Sequence, residues 1–344
     1  MPAGSSLLTS LLSWDSGWFI RVASEGYPHS FTYDAAGNLT ANGLAFFPLY
    51  PGLIRLGHLL GLTYDASALT VSWLAAAIAA VLLYALAVRL FDRPIIGYAL
   101  VALFCAQPMS VVLSMGYSES LFVALVAGMF LATLGRRWLL AGTLGALAGL
   151  TRPTGAAAGV ALAVAVGMLI AKRQAGRGEI ARACSGAVLA LLAVPAYIAW
   201  VGFRVGDPAG WFKIQTAGWG TTFDFGAATW SFAKATLTTD NGWVAMSVLL
   251  ILVVATVALV MALRERIWPP LTTYGVIAFV LVVGQAGYYH SKPRLLVPVL
   301  LILLPAALAA GRSRPRSVAV VLTAYALFGL WYGAYMITIW PYAI

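Results

Sequence analysis

Four short stretches carry polar groups in an otherwise apolar sequence. Trp14-Asp15-Ser16-Gly17-Trp18 sets a carboxylate between two tryptophans, and Gly116-Tyr117-Ser118-Glu119-Ser120 supplies a second acid. Thr151-Arg152-Pro153-Thr154-Gly155 holds an arginine, and His290-Ser291-Lys292-Pro293-Arg294 puts two cations on either side of a proline. A positioned carboxylate can take the proton of a hydroxyl as that oxygen forms a new bond. Arginine grips phosphate through two parallel hydrogen bonds, whereas lysine acts as a point charge. Acids, cations and flanking rings together suit glycosyl transfer from a lipid phosphate, in which the cations stabilise the departing group. The sequence has no Asp-x-Asp pair to hold a divalent ion, so neither a metal nor a cofactor is expected.

The elements that must position these groups are membrane helices. Of the 344 residues, 62% are apolar and 9% charged, with mean hydropathy +0.90; soluble domains are about 45–50% apolar and about a quarter charged. This excludes a soluble globular protein, a disordered chain and a disulfide scaffold. Cys105 and Cys184 lie far apart in apolar runs, which gives neither a metal spacing nor a disulfide. Apolar runs at about 66–90, 95–115, 120–134, 139–151, 155–171, 183–203, 243–263, 269–286, 295–310 and 318–340 predict an all-α polytopic bundle of about ten transmembrane helices. Two segments do not read as spans, so a single membrane domain is expected in the order 1–65 loop, 66–203 helices, 204–242 loop and 243–344 helices.

Alternating the sides of successive loops sorts the charges. One side, including Arg89, Arg93, Arg136, Arg137, Lys172, Arg173, Arg312, Arg314 and Arg316, collects 13 cations against Asp92, Glu179 and Glu265, and the other holds eight of each sign. Positive loops stay cytoplasmic, so both long segments face outward and the basic groups answer to lipid topology, with no nucleic acid as partner. Arginine outnumbers lysine 17 to 4, a bias associated with GC-rich bacterial genomes; the expected location is a bacterial plasma membrane, with the active site on its extracytoplasmic face. Residues 5–12 are too short and mixed to send 65 residues across a bilayer. The expectation is that a first helix is missing from this chain, the alternative being a tail that translocates unaided.

Each motif also has a structural reading. Asp15 would cap a helix anchored by Trp14 and Trp18, which at i and i+4 would share one helical face at the membrane surface. Glu119 would answer the positive end of the helix it begins. The run 139–151 rises about 20 Å, short of the ~30 Å hydrocarbon core, which puts Arg152 below the outer surface; there it either snorkels or faces an anion. Lys292 and Arg294 would meet lipid headgroups without specificity. Residues 44–62, broken by Pro48, Pro51, Arg55 and His58, predict an interfacial helix that anchors the chain or walls a lipid tail.

With Trp14-Asp15-Ser16-Gly17-Trp18 followed by Gly26-Tyr27-Pro28, Ala45-Phe46-Phe47-Pro48-Leu49-Tyr50-Pro51, Tyr117-Ser118-Glu119-Ser120-Leu121-Phe122 and Leu150-Thr151-Arg152-Pro153-Thr154-Gly155, and Lys292-Pro293-Arg294 near Pro298, the sequence resembles the second mannosyltransferase of GPI-anchor assembly and its bacterial relatives, within the GT-C class of membrane glycosyltransferases. The resemblance runs from about residue 13 to 155, returns at 285–305 and is weak between. It implies an inverting transferase that uses polyprenyl-phosphate-linked mannose on the outer face, with Asp15 as base and Glu119, Arg152 and Arg294 at the family's other polar positions. The expected site is then Asp15 and Glu119 as catalytic acids, Arg152, Lys292 and Arg294 on the donor phosphate, and Trp14, Trp18, Tyr117 and His290 as platform for sugar or acceptor. The partners are the lipid-linked mannose, membrane lipids and an unknown glycan, lipid or protein acceptor; a bacterium lacks GPI, so the acceptor is not carried over. Family members begin with a helix before the Trp-Asp loop, which departs from this chain as the topology does. Two rivals are a non-catalytic subunit of a glycosylation complex and a flippase or transporter of a lipid-linked sugar; the matched interruptions of a repeated transporter are not seen.

In a cysteine-free background, Gly178→Cys in intact cells is expected to resist a membrane-impermeant thiol reagent and Lys234→Cys to react with it. Labelling with the opposite pattern would invert the topology.

Overall fold

The computed structural model describes residues 7–173, 175–239 and 242–344; Gln174 and Asp240, one of the outer acids in the charge count, lie outside the described residues. The first segment holds α1 (Leu7–Leu11), α2 (Asp15–Glu25) and α3 (Leu49–Leu59). α4 (Tyr64–Phe91), α5 (Pro94–Ala106), α6 (Glu119–Leu134), α7 (Trp138–Gly149), α8 (Gly155–Ala171) and α9 (Arg177–Val205) follow. The second segment holds α10 (Gly210–Trp219) and α11 (Ala227–Thr238); α12 (Gly242–Arg264), α13 (Pro269–Gly284), α14 (Lys292–Leu296), α15 (Leu304–Arg312) and α16 (Pro315–Thr338) complete the chain. Among the described residues, the β pairing is two isolated bridges, Tyr33 with Leu39 and Phe223 with Gln285. The protein is an all-α, multi-pass membrane protein.

Every apolar run has its helix, but the helices are less uniform than ten equal spans. Among the described residues, four helices (α4, α9, α12 and α16) are long and apolar enough to cross a bilayer. A fifth crossing needs Tyr289–Leu296 and Leu300–Arg312 taken together across a 75° bend. α5, α6, α7, α8 and α13 are shorter apolar helices of 10–17 residues. The run expected at 95–115 ends its α-helix at Ala106, because Pro108 follows and residues Ser110–Leu113 tighten into a 3-10 turn.

α6 is buried around its circumference, with Phe122, Val123, Val126, Ala127, Met129 and Phe130 all inaccessible. It packs against α4 and α7, and α7 against α9. Small residues permit the close approach: a Cβ on Gly142 would run into the backbone of Gly186, and one on Gly159 would lie 3.0 Å from the Ala190 carbonyl oxygen. Because α6 begins at Glu119, this packing carries a carboxylate into the interior.

The turn from α7 to α8 carries Arg152. Its two ends touch, since a Cβ on Gly155 would sit 2.6 Å from Gly149 N and 2.7 Å from the Ala148 carbonyl oxygen. Thr151 Oγ1 closes the end of α7 by donating to the Leu147 carbonyl at 2.7 Å. Gly155→Ala is therefore expected to lower stability by about 1–3 kcal/mol, the usual effect of an added methyl in a packed site. Gly167→Ala, where a Cβ meets nothing within 4 Å, should leave the thermal unfolding midpoint in detergent unchanged or slightly raised.

Candidate active site

The first segment and the α5–α6 connection are stapled together. Gly116 N donates to the Leu11 carbonyl at 3.0 Å, and Asp15 N to the Tyr117 hydroxyl at 3.4 Å. Trp14 stands just before α2 with φ 57° and ψ −114°, a positive-φ conformation that costs a non-glycine residue about 1–3 kcal/mol. It is thus not helical, and the expected shared face of Trp14 and Trp18 is corrected: the chain turns at Trp14 so that α2 opens on Asp15.

Asp15 Oδ2 accepts from Arg294 Nη1 at 2.7 Å, while Arg294 Nε stands 3.6 Å from Glu119 Oε1. Arg152 Nη1 lies 2.8 Å from the same Glu119 oxygen and donates to Ser118 Oγ at 3.1 Å. Four charges thus alternate in sign: Asp15, Arg294, Glu119, Arg152. Side-chain exposures of 18%, 11%, 1% and 14% in that order make each charge depend on its neighbours, because an unpaired ion at such a site pays a large desolvation penalty. Neither Glu119 oxygen has an aligned hydrogen bond, and Oε2 has no donor among the described residues. Glu119 therefore acts by charge, holding two guanidinium groups. Arg294 also lies over the Tyr117 ring, 5.1 Å from its centroid. Burial, with Asp15 alongside, raises the Tyr117 phenol well above its ordinary range and keeps it protonated.

Asp15, Arg152, Lys292 and Arg294 line one cavity of about 420 Å³, whereas Glu119 stands behind the arginines. Lys292 is tied: its ammonium donates to the Val282 carbonyl at 2.9 Å and the Gln285 carbonyl at 2.7 Å, closing the end of α13. The four expected platform residues are outside the cavity wall. Tyr117 is buried under Arg294, and Trp18 packs edge-on against Trp219 and stacks on Phe46, with Arg21 over its own ring. Trp14 leans on the main core, and His290 is enclosed by Tyr288, Tyr289, Trp340 and Tyr342.

The rings that do line the cavity include Phe46, Phe47, Trp211, Trp219, Phe223 and Tyr288. Phe46 and Phe47 fall in 44–62, expected as an anchor or a wall for a lipid tail, whereas Trp211, Trp219 and Phe223 lie in 204–242, where no motif was singled out. α10 docks through Gln215 Nε2, which donates to the Ala45 carbonyl at 3.0 Å. Tyr197 on α9 donates to the Phe46 carbonyl at 2.6 Å, and Arg204 to the carbonyls of Pro28 at 2.7 Å and Tyr27 at 2.8 Å. Beyond α10, Ala286 N donates to the Thr222 carbonyl at 2.8 Å and Asp224 N to the Gly284 carbonyl at 3.0 Å. The polarity of 204–242 was the available signal, since its Gln, Thr and Trp side chains need partners at a membrane surface. Among the described residues, no three of His, Cys, Asp and Glu gather as metal ligands do.

The profile of the Mannosyltransferase (PIG-V) family matches residues 3–168. Over just under half of the chain, that stretch is similar to the PIG-V mannosyltransferases. Over 171 residues, 45% of this chain, it is 33% identical to GPI alpha-1,6-mannosyltransferase 2 of Rattus norvegicus, of which 32% is covered. Over 160 residues it is 34% identical to the protein of that name from Cricetulus griseus, covering 43% of this chain and 30% of the relative. GPI mannosyltransferase 2 of Drosophila pseudoobscura is 33% identical over 125 residues, 33% of this chain and 25% of that protein. The matches thus span about a third or less of these relatives' length. No solved structure matches the chain. The matched stretch contains Asp15, Glu119 and Arg152, whereas Lys292 and Arg294 lie beyond it; Arg294 is joined to it by the charge cluster, and Lys292 meets it only in the cavity wall.

Arg152→Met is expected to destabilise the protein by about 3–5 kcal/mol, because it leaves Glu119 short of a partner. Adding Glu119→Gln should recover part of that loss by restoring neutrality around the remaining Asp15 and Arg294 pair. Thermal unfolding of the two single variants and the double variant measures the coupling; simple additivity would show that the charges do not act as a unit.

Proposed function

We propose that this protein is a mannosyltransferase that moves mannose from a polyprenyl-phosphate-linked donor to an acceptor hydroxyl on the outer face of the membrane, with inversion. The observation that carries this reading is the contact of Asp15 with Arg294 on the wall of one cavity shared with Arg152 and Lys292. The likeness of residues 3–168 to the PIG-V family supports the reaction class.

At rest, Arg294 neutralises Asp15. A donor phosphate competes for that guanidinium, whose fork suits two phosphate oxygens, and as Arg294 turns to it Asp15 becomes available to the acceptor. The acceptor oxygen then attacks the anomeric carbon from the face opposite the phosphate. The new carbon–oxygen bond forms as the bond to the phosphate oxygen breaks, its electron pair leaves with the polyprenyl phosphate, and the hydroxyl proton passes to Asp15. Attack from the opposite face gives inversion. Arg152 and the third donor of Lys292 add positive charge where the leaving group gains negative charge. Glu119 acts as a positioning residue that holds both arginines between donor cycles.

In a transfer assay with radiolabelled polyprenyl-phosphate mannose and a panel of lipid, glycan and peptide acceptors, Asp15→Asn is expected to lower the rate about 10²–10⁴-fold, the usual contribution of a positioned base, with donor affinity nearly intact. Arg294→Ala should weaken donor binding by about 1.5–3 kcal/mol, the range for hydrogen bonds to charged groups. Chelation of divalent ions should leave the rate unchanged. Wild-type turnover by folded Asp15→Asn would remove Asp15 as the base and with it this mechanism.

A further inference from the structure

A second concavity, of about 770 Å³, runs between α4, α6 and α7 and shares no residue with the cavity at Asp15. Its walls are apolar, with Leu74 and Ile78 from α4, Leu125 and Gly128 from α6 and Leu140 and Leu144 from α7, except for two arginines, Arg89 and Arg137. Both arginines lie near the ends of α4 and α6 that are remote from Glu119. The 16 residues of α6 put them about 24 Å away at 1.5 Å per residue. By the charge count, this is the cytoplasmic end.

Nearby arginines at that end are tied up: Arg136 pairs with Glu179, Arg312 with Glu265, and Arg93 donates to the Gly311 carbonyl. Arg89 and Arg137 are exposed, and neither guanidinium meets a carboxylate or a hydrogen-bond acceptor among the described residues. Two unneutralised cations at the mouth of an apolar groove call for an anion with an apolar extension. From Arg89 to Ile78 the helix rises about 17 Å, roughly half of the ~30 Å hydrocarbon core and so the depth of one leaflet.

We infer that this groove binds an anionic glycerophospholipid of the cytoplasmic leaflet, with its phosphate held between Arg89 and Arg137 and an acyl chain lying along α4 and α6. A net negative headgroup is favoured over a zwitterionic one, whose own cation offsets the attraction of the two guanidinium groups.

Native mass spectrometry of the full chain, released from micelles containing equal phosphatidylglycerol and phosphatidylcholine, tests this. The wild type is expected to retain phosphatidylglycerol at least ten-fold over phosphatidylcholine, Arg89→Ala/Arg137→Ala to retain the two equally, and Arg89→Lys/Arg137→Lys to keep a preference. Glycerophosphoglycerol, which has the headgroup without chains, is expected to leave the retained lipid in place at equal concentration. Equal retention by the wild type, a preference that survives the double alanine substitution, or displacement by the chain-free headgroup would each overturn the inference. The arginines are exposed, and equal unfolding temperatures of wild type and variant confirm that the comparison is between folded proteins.

Discussion

The site depends on a buried alternation of charge in which Asp15, Arg294, Glu119 and Arg152 each lean on the next. Removing ions from water at the edge of a bilayer is expensive, and only close opposite charges offset the cost. The four residues come from segments far apart in sequence, so the cluster forms only when α2, α6, the α7–α8 turn and α14 have met. Folding and assembly of the site are one event. In the proposed mechanism the same neutrality lets two acids stand close to the donor phosphate, each holding an arginine in place until that phosphate arrives.

Around that cluster the rest is enclosure. The loop after α2 brings Phe46 and Phe47, α10 brings Trp211 and Trp219, and the loop after α13 brings Gln285 and Tyr288. Their backbones are joined by bonds that cross between segments, such as Tyr197 to Phe46 and Ala286 to Thr222. The result is a partly apolar chamber with cations in its wall, suited to a ligand with both a charged group and a lipid tail. The turn at Trp14 belongs to the same enclosure: its strained backbone is held by Asp15 N on Tyr117 and by Asp15 on Arg294.

The sequence disclosed what is costly. Arg152 and Arg294 are conspicuous because a cation at membrane depth requires an anion, and Asp15 and Glu119 because most of their surroundings are apolar. The helices were legible from hydropathy, which reports burial in lipid or protein without regard to geometry. That indifference explains the misses. Hydropathy does not report the 75° bend near Val297, which depends on how Pro298 and the following 3-10 turn pack. Ring chemistry suggested Trp14, Trp18, Tyr117 and His290 as a platform, but a ring serves equally well as packing, and which face it offers is decided by tertiary contacts. His290 is taken up by the aromatic C-terminal tail, and Tyr117 by the arginine above it. The rings that line the chamber sit on loops docked by a few bonds to backbone carbonyls, from Gln215, Tyr197 and Arg204 among others, and such bonds leave no periodic trace in a sequence.

The most direct measurement is an experimental structure of the full chain with a polyprenyl phosphate bound. The account predicts phosphate density between Arg152, Lys292 and Arg294, with Arg294 swung from Asp15 toward the phosphate and the prenyl chain leaving the chamber toward lipid. Phosphate density elsewhere, with the Asp15 and Arg294 contact intact, would contradict it.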